Sequence, residues 1–114
     1  MAAPVDRLRS SSEISATLRR GKRARQRLVH VVARPNGLPR SRFALSVSKR
    51  VGSAVVRNRV KRRLRALLRS RPPREGYDIV VTAHVGADSV MIDELRRDTE
   101  RCLERIGIQS VGEA

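Results

Sequence analysis

Hydrophobic and polar residues recur with two periods along this 114-residue chain, one typical of helices and one typical of strands. Near the N-terminus, Ser10 and Glu13 have the spacing of a capping box, in which each side chain bonds the backbone amide of the other residue. Ile14 and Leu18 follow one helical turn apart, and Gly21 suits the position just after a helix. The pattern therefore predicts a short first helix that ends before Gly21.

Two strands are predicted next. Residues 28–33 (LVHVVA) are apolar and rich in β-branched side chains, and a Pro-Asn-Gly turn follows them. Residues 43–48 (FALSVS) alternate, which places the large apolar side chains on one face and an alanine and two serines on the other. We expect the face with the large side chains to pack on a core. A further strand within residues 21–27 is left open, because that segment has no strand pattern of its own.

The longest helical pattern begins after an N-cap at Ser53 and runs to about Ser70. At 100° per residue one apolar stripe forms, consisting of Val56, Val60, Leu64, Leu67 and Leu68. The opposite ridge consists of Asn58, Arg62, Arg65 and Arg69, and the flanks hold Arg57, Arg59, Lys61 and Arg63. No acidic residue lies on this helix to pair with them. Because a solvated helix face ordinarily mixes charge signs, the pattern favours a binding surface.

A third strand and a third helix complete the pattern. Residues 77–83 (YDIVVTA) predict the strand, and Asp88 or Ser89 is expected to cap a last helix that ends at Gly107. The apolar stripe of that helix consists of Ile92, Leu95, Thr99, Cys102, Leu103 and Ile106. A helix between the second and third strands indicates a βαβ unit. The order predicts an α+β fold, a small α/β sandwich with a mixed sheet of about four strands and three helices.

Length and organisation indicate one domain over residues 1–114, with an ordered core at about 7–108. Whether the tail from Gln109 to Ala114 is ordered is left open by the sequence.

Charge is concentrated in one interval. The chain has 26 Lys and Arg against 11 Asp and Glu, a formal net charge of +15. Residues 14–74 contain 20 of these basic residues and no acidic one, whereas residues 75–114 have a net charge of −5. So localised an excess indicates a binding face for a polyanion, with a basic surface that has no defined ligand as the alternative.

Several classes of protein are disfavoured. Residues 1–12 lack the apolar segment of a signal peptide, and no stretch is apolar over the roughly 18 residues of a membrane span, so we expect a cytoplasmic protein with no membrane partner. The single cysteine, Cys102, is expected in the core. His30 and His84 are isolated in sequence and are expected to be ordinary sheet or surface histidines rather than metal ligands. With no phosphate-binding loop or nucleophile motif, the sequence predicts neither catalytic nor metal-binding residues.

The stretch 43–68 (FALSVSKRVGSAVVRNRVKRRLRALL) resembles the signature region of the bacterial ribonuclease P protein family. It has the strand of small and apolar residues, the Ser-Lys step, the turn with a glycine, and the Arg-Asn-Arg box with its Lys-Arg continuation. The resemblance extends over about residues 7–106 and includes an Arg-Leu opening at Arg7 and a Tyr-Asp strand start at Tyr77.

This resemblance implies a fold and a function. The fold would be like the second domain of ribosomal protein S5, with a left-handed βαβ crossover where a right-handed one is the rule. The protein would be a subunit of ribonuclease P and a monomer apart from the ribonucleoprotein. Its partners would be the catalytic RNA and the 5′ leader of precursor tRNA. The RNA would remove the leader with its own Mg²⁺, and the protein itself would bind no cofactor.

The resemblance also implies two sets of residues. Contacts with RNA are expected from Lys49, Arg50, Arg57, Asn58, Arg59, Lys61, Arg62 and Arg65. A leader cleft between the first helix and the sheet would be lined by Ile14, Leu18, His30, Val32, Ser46 and Ser48. The family commonly has aromatic residues where this chain has Ile14, Leu18 and Val32. Since stacking on a base contributes about 1 to 3 kcal/mol, we expect weaker or more backbone-driven contact with the leader.

Two other functions are considered. A ribosomal or general nucleic-acid-binding protein without nuclease association would need only the basic helix. An independent protein nuclease would need clustered carboxylates or a histidine pair, and the acidic residues lie mainly on the last predicted helix.

Overall fold

A computed structural model describes residues 6–110, which form a five-stranded sheet and three α-helices. The strands are β1 (Asp6–Arg7), β2 (Lys22–Arg25), β3 (Val29–Pro35), β4 (Arg42–Val47) and β5 (Tyr77–Ala83). The helices are α1 (Ser11–Arg20), α2 (Ala54–Ser70) and α3 (Ile92–Ile106), and a 3₁₀ turn spans Lys49–Val51. Residues 111–114 of the tail lie outside the described residues. No helix within residues 6–110 has the length and apolar character to cross a membrane.

The sheet is mixed, with strand order β1-β4-β5-β3-β2. Strands β4 and β5 are parallel neighbours joined through α2, which confirms the predicted βαβ unit. The sheet has five strands rather than about four. β1 contributes only two residues, and β2 is the segment that the sequence left open.

Strand register sorts the side chains between two faces. Val31, Val81 and Leu45 are aligned across β3, β5 and β4 and belong to the face covered by α2 and α3. On this side Val60 and Leu64 of α2 are 0% exposed. Burying an aliphatic side chain of this size stabilises the fold by about 1.5 to 3 kcal/mol. The alternation predicted for residues 43–48 is therefore confirmed, with the large side chains toward the core.

Helix α1 packs on the opposite face, against β3 and β5. Thr17 of α1 faces this contact and is 0% exposed. An ion-pair cluster ties the helix down, because Arg42 donates both to Glu13 of α1 and to the buried carboxylate of Asp78. The helix covers only part of this face and leaves the rest open.

Gly21 ends α1 as predicted, but for a different reason. Its φ is −75°, so the left-handed conformation typical of such glycines is not used. A Cβ atom there would lie 2.7 Å from the carbonyl oxygen of Thr17 and 2.8 Å from Cγ1 of Val32. Glycine therefore permits the close approach of α1 to β3.

Ser10 is the N-cap of α1 as predicted, whereas the predicted start of α3 needs correction. Ser10 caps α1 by accepting a hydrogen bond from the amide of Glu13, at 3.3 Å, but the Glu13 side chain bonds Arg42 instead of completing the capping box. The prediction that Asp88 or Ser89 caps α3 is wrong. Ser89 closes a turn by donating its amide to the carbonyl of Gly86, and α3 begins only after Met91.

Candidate nucleic-acid interface

The basic face of α2 is built as the sequence predicts. Ser53 caps the helix by accepting from the amide of Val56, at 3.4 Å. Asn58, Arg59 and Arg62 are exposed along the solvent side. Within residues 6–110, the salt bridges involve Arg40, Arg42, Arg71 and Arg96 and none of the cations of α2. This face therefore keeps its full positive charge.

A groove lies between α2, the N-terminal segment and the outer edge of β4, and we call it the helix groove. Its cavity volume is about 300 Å³. The basic residues that line it are Arg7, Arg9, Lys61, Arg65 and Arg69, and the remaining lining residues are Asp6, Leu8, Ile14, Phe43, Ala44 and Leu45. Because β1 pairs only with Arg42 and Phe43, the groove lies along the part of β4 that has no neighbouring strand.

Like charges crowd in the helix groove. Partial burial lowers the pKa of Arg65, and the nearby guanidinium groups of Arg7 and Arg69 lower it further. An anion placed among these groups would relieve the repulsion, so the groove is suited to a phosphate-bearing ligand. Lys49 and Arg50 are exposed in the 3₁₀ turn that connects β4 to α2 and extend the positive surface toward the sheet.

The open part of the sheet face forms a second depression, which we call the sheet cleft. Its floor is the row Ser46, Thr82 and His30, aligned across β4, β5 and β3, with Arg25 of β2 next in the row. One wall is the flank of α1 that carries Ile14 and Leu18, which follows from the helical spacing around buried Thr17. Leu18 is 37% exposed.

Two histidine rings meet on the floor of the sheet cleft. Nδ1 of His30 lies 2.8 Å from Nε2 of His84, the ring centres are 4.9 Å apart, and the rings are tilted by 24°. A nitrogen contact this short at that centre separation requires the two nitrogens to point at each other. The rings therefore lie edge to edge, joined by an N–H···N hydrogen bond. Both histidine pKa values are lowered by burial, and that of His30 is lowered further by His84, Arg25 and Arg23.

The structure corrects part of the expected cleft lining. Val32 is 0% exposed beneath α1, so its side chain cannot contact an RNA strand bound in the cleft. The hydroxyl of Ser48 accepts a hydrogen bond from the amide of Arg50 and so caps the 3₁₀ turn. Ile14, on the same flank of α1 as Leu18, lines the helix groove as well. Ser46 and His30 are accessible as expected.

Some residues of the interface were not anticipated. These are Arg7 and Arg9 in the helix groove and Arg23, Arg25 and His84 at the sheet cleft. Arg69 of the helix groove belongs to the ridge predicted on α2. For Arg23 and Arg25 the signal in the sequence is slight, because Ala24 between them is the one small apolar residue of β2.

Among residues 6–110 no group of three or more His, Cys, Asp or Glu side chains is placed to hold a metal ion. Cys102 is 0% exposed, and burial raises the pKa of its thiol to about 11, so the thiol is an unreactive core group as predicted.

Sequence comparisons identify relatives over nearly the whole chain. A family model described as Ribonuclease P matches residues 3–107. The ribonuclease P protein component of Nocardioides sp. is 42% identical over 118 residues, spanning 98% of this chain and 100% of that protein. That of Kocuria rhizophila is 47% identical over 96 residues, spanning 81% and 83% of the two chains.

Solved structures show the same fold. The RNase P protein from Thermotoga maritima superposes with a TM-score of 0.79 at 27% identity, covering 88% of this chain and 96% of that one. The RNase P protein of Staphylococcus aureus superposes with a TM-score of 0.81 at 24% identity, covering 90% and 96%.

Proposed function

Because this chain belongs to the ribonuclease P protein family and is thus a subunit of an endoribonuclease of tRNA processing, we propose that it holds the catalytic RNA and the precursor tRNA on two separate surfaces. The face of α2, with the helix groove and the 3₁₀ turn, binds the catalytic RNA. The sheet cleft binds the 5′ leader of precursor tRNA.

The unneutralised charge of α2 is the observation that carries this proposal. Arg59 and Arg62 are exposed, and Arg65 lies in a groove shared with Arg7 and Arg69. Arginine suits an RNA partner because its planar fork can bond two phosphate oxygens at once. Basic side chains in the first turn of α2, such as Arg57, also oppose the helix dipole, a local cost that binding to a polyanion would offset.

The sheet cleft supports the placement of the leader. Its floor combines small or polar side chains, Ser46 and Thr82, with the aromatic rings of His30 and His84. Its one helical wall is apolar at Leu18. A surface of this kind suits an unpaired RNA strand, whose bases can lie flat on the side chains of the floor while its phosphates remain near cations.

We assign bond cleavage to the RNA subunit and its Mg²⁺ rather than to this chain. Magnesium prefers oxygen ligands, chiefly carboxylates and phosphates. The carboxylates near the two surfaces are engaged elsewhere: Asp6 pairs with Arg40 at 2.9 Å, and Glu13 pairs with Arg42 at 2.9 Å. The residues of this chain therefore bind and orient the substrate, and the RNA supplies the metal-dependent chemistry.

The test is reconstitution of the full chain with a bacterial ribonuclease P RNA. Affinity for precursor tRNA is measured with and without a 5′ leader, together with the cleavage rate at low Mg²⁺. Addition of the protein should stimulate cleavage and strengthen binding of the leader-bearing substrate more than binding of mature tRNA.

Variants separate the two surfaces. Arg62→Gln should weaken assembly with the RNA. It should also make the slope of log K against log salt concentration shallower by about 0.7 to 0.9 for each phosphate that is no longer bound. Arg101→Gln, an exposed arginine on α3 with the same charge change, is the matched control and should leave both values unchanged. Equal effects of the two substitutions would refute the assignment of α2, and cleavage by the protein alone would refute the assignment of the chemistry.

A further inference from the structure

The cleft face of the sheet carries aromatic rings that a count of Phe, Tyr and Trp does not include. Its only Phe and Tyr, Phe43 and Tyr77, lie on the core side of the sheet. The aromatic rings on the opposite face are the imidazoles of His30 and His84, which lie edge to edge. The ring planes are tilted by only 24°, so they are nearly parallel, and both side chains are partly exposed.

Two arginines flank this surface on the edge strand. Arg23 and Arg25 lie opposite Val32 and His30 in the register of β2 with β3, so both belong to the face that carries the imidazoles. Both are exposed. Arg23 also donates to the carbonyl oxygen of Leu18, which holds its guanidinium between the last turn of α1 and the histidines.

The space between these groups can admit a planar ligand. Arg23, Ala24, Arg25 and His30 line a cavity of about 260 Å³. This approaches the roughly 300 Å³ at the lower end of small-ligand sites. β2 is the last strand of the sheet, so the cavity lies where a polymer could leave the cleft over the sheet edge.

We propose that His30, His84, Arg23 and Arg25 form a subsite for one nucleotide of an unpaired RNA strand, with the base stacked on the imidazole pair and its phosphate bound by the guanidinium groups. The proposal rests on the proposed function, in which the sheet cleft holds the leader, and it specifies where one leader base is recognised. The row from Ser46 through Thr82 and His30 to Arg25 crosses three strand spacings, about 14 Å, and leads along the cleft floor to this subsite.

Charge and aromaticity are used for different parts of the nucleotide. Burial, His84 and the adjacent arginines lower the pKa of His30, which disfavours a positive charge on the ring and leaves the phosphate to the guanidinium groups. Stacking is tolerant of base identity because every base has a π-face. The subsite therefore selects for an unpaired nucleotide rather than for a particular sequence.

The experiment scans the leader with abasic nucleotides. Holoenzyme is reconstituted from the full chain and a bacterial ribonuclease P RNA, and Kd is measured for precursor tRNAs that each lack one leader base. With wild-type protein, one position should show a loss of about fivefold, which corresponds to the lower end of base stacking, about 1 kcal/mol. With His30→Ala, the intact leader should bind about fivefold more weakly, and removal of that base should have no further effect. His30→Phe keeps an aromatic face and should restore the penalty for that base.

Charge is tested separately. Arg23→Gln and Arg25→Gln should each reduce the salt slope of binding by about 0.7, the value for a phosphate contact on a single strand. Arg101→Gln on α3 is the control and should leave the slope unchanged. Circular dichroism and the urea midpoint establish that each variant is folded.

The two proposals fail in different ways. If the wild-type holoenzyme bound leaderless and leader-bearing tRNA equally, the leader function itself would be refuted and the subsite with it. If the leader strengthened binding but abasic penalties were the same in wild type and His30→Ala, only the subsite would be refuted. Unchanged salt slopes in both arginine variants would likewise overturn the subsite.

Discussion

Replacement of Arg42 by Met should strongly destabilise the protein, because the guanidinium compensates a buried carboxylate. Asp78 is 1% exposed, and Arg42 bonds both of its oxygens at 2.8 Å. Loss of one partner from a buried ion pair typically costs about 3 to 5 kcal/mol. Arg42 is itself 20% exposed, and Asn36 still donates to Asp78 at 3.0 Å, so we expect the lower value, about 3 kcal/mol.

The second arm of the cluster contributes less. Glu13 is 40% exposed, and pairs of this kind contribute about 0.2 to 1 kcal/mol. Glu13→Gln should therefore lower the free energy of unfolding by less than about 1 kcal/mol. Arg40→Met is the matched control, because the Arg40–Asp6 pair is about half exposed on both sides and should also cost no more than about 1 kcal/mol.

Urea unfolding measures these differences, with an unchanged m-value as the condition for comparison. At about 4 °C per kcal/mol for a chain of this length, Arg42→Met should lower Tm by about 12 °C. The double variant Arg42→Met/Asp78→Asn should be more stable than Arg42→Met, because no uncompensated charge remains buried. The reasoning is refuted if Arg42→Met costs no more than Arg40→Met, or if the double variant recovers nothing.

Other outcomes follow from single contacts. A Cβ at Gly21 would meet backbone oxygens at 2.7 and 2.8 Å, whereas one at Gly37 would meet nothing within 4 Å. Gly37→Ala would bear only the cost of the left-handed φ of +72°, about 1 to 2 kcal/mol. Gly21→Ala should therefore destabilise the protein more than Gly37→Ala, and equal urea midpoints would contradict this. The pKa values of His30 and His84 are lowered in the folded protein, so the unfolded chain takes up protons first as pH falls below about 6.5. The free energy of unfolding should therefore decrease as the pH is lowered, by up to about 1.4 kcal/mol per pH unit for each histidine. The pH dependence between 5 and 7 should flatten in a variant with both rings replaced by Gln. Cys102 should react with a thiol reagent only as fast as the protein unfolds, and rapid labelling of the native state would show that its burial is wrong.

Much of the fold was predictable from local patterns. The third strand has the bounds predicted, residues 77–83, and α2 runs to Ser70 after its cap at Ser53. These elements have strong periodicity and clear ends. The start of α3 was misplaced, because Ser89 is a good capping residue whose side chain is used in a turn with Gly86. The identity of the residue does not show whether its side chain caps a helix or closes a turn.

The strand that was not predicted, β1, and the strand that was left open, β2, share a physical cause. β1 is two residues long and exists through pairing with Arg42 and Phe43, and β2 is rich in arginine and exists through pairing with residues 30–33. Strand preference is largely a matter of neighbours rather than an intrinsic backbone property. A segment whose partner is distant in sequence therefore carries little local signal.

The charge of the binding surface, the amphipathic α2 with its arginine ridge and the alternating strand under the cleft could all be predicted, because each depends on the spacing of residues along one element. Which distant residues share a site could not be predicted in this way. His30 and His84 are 54 positions apart and were expected to be ordinary histidines, yet the antiparallel register of β3 with β5 brings their nitrogens within 2.8 Å. Val32, expected in the cleft, is instead buried because Gly21 lets α1 approach β3 closely. Contacts between elements depend on register and packing, which no single segment encodes.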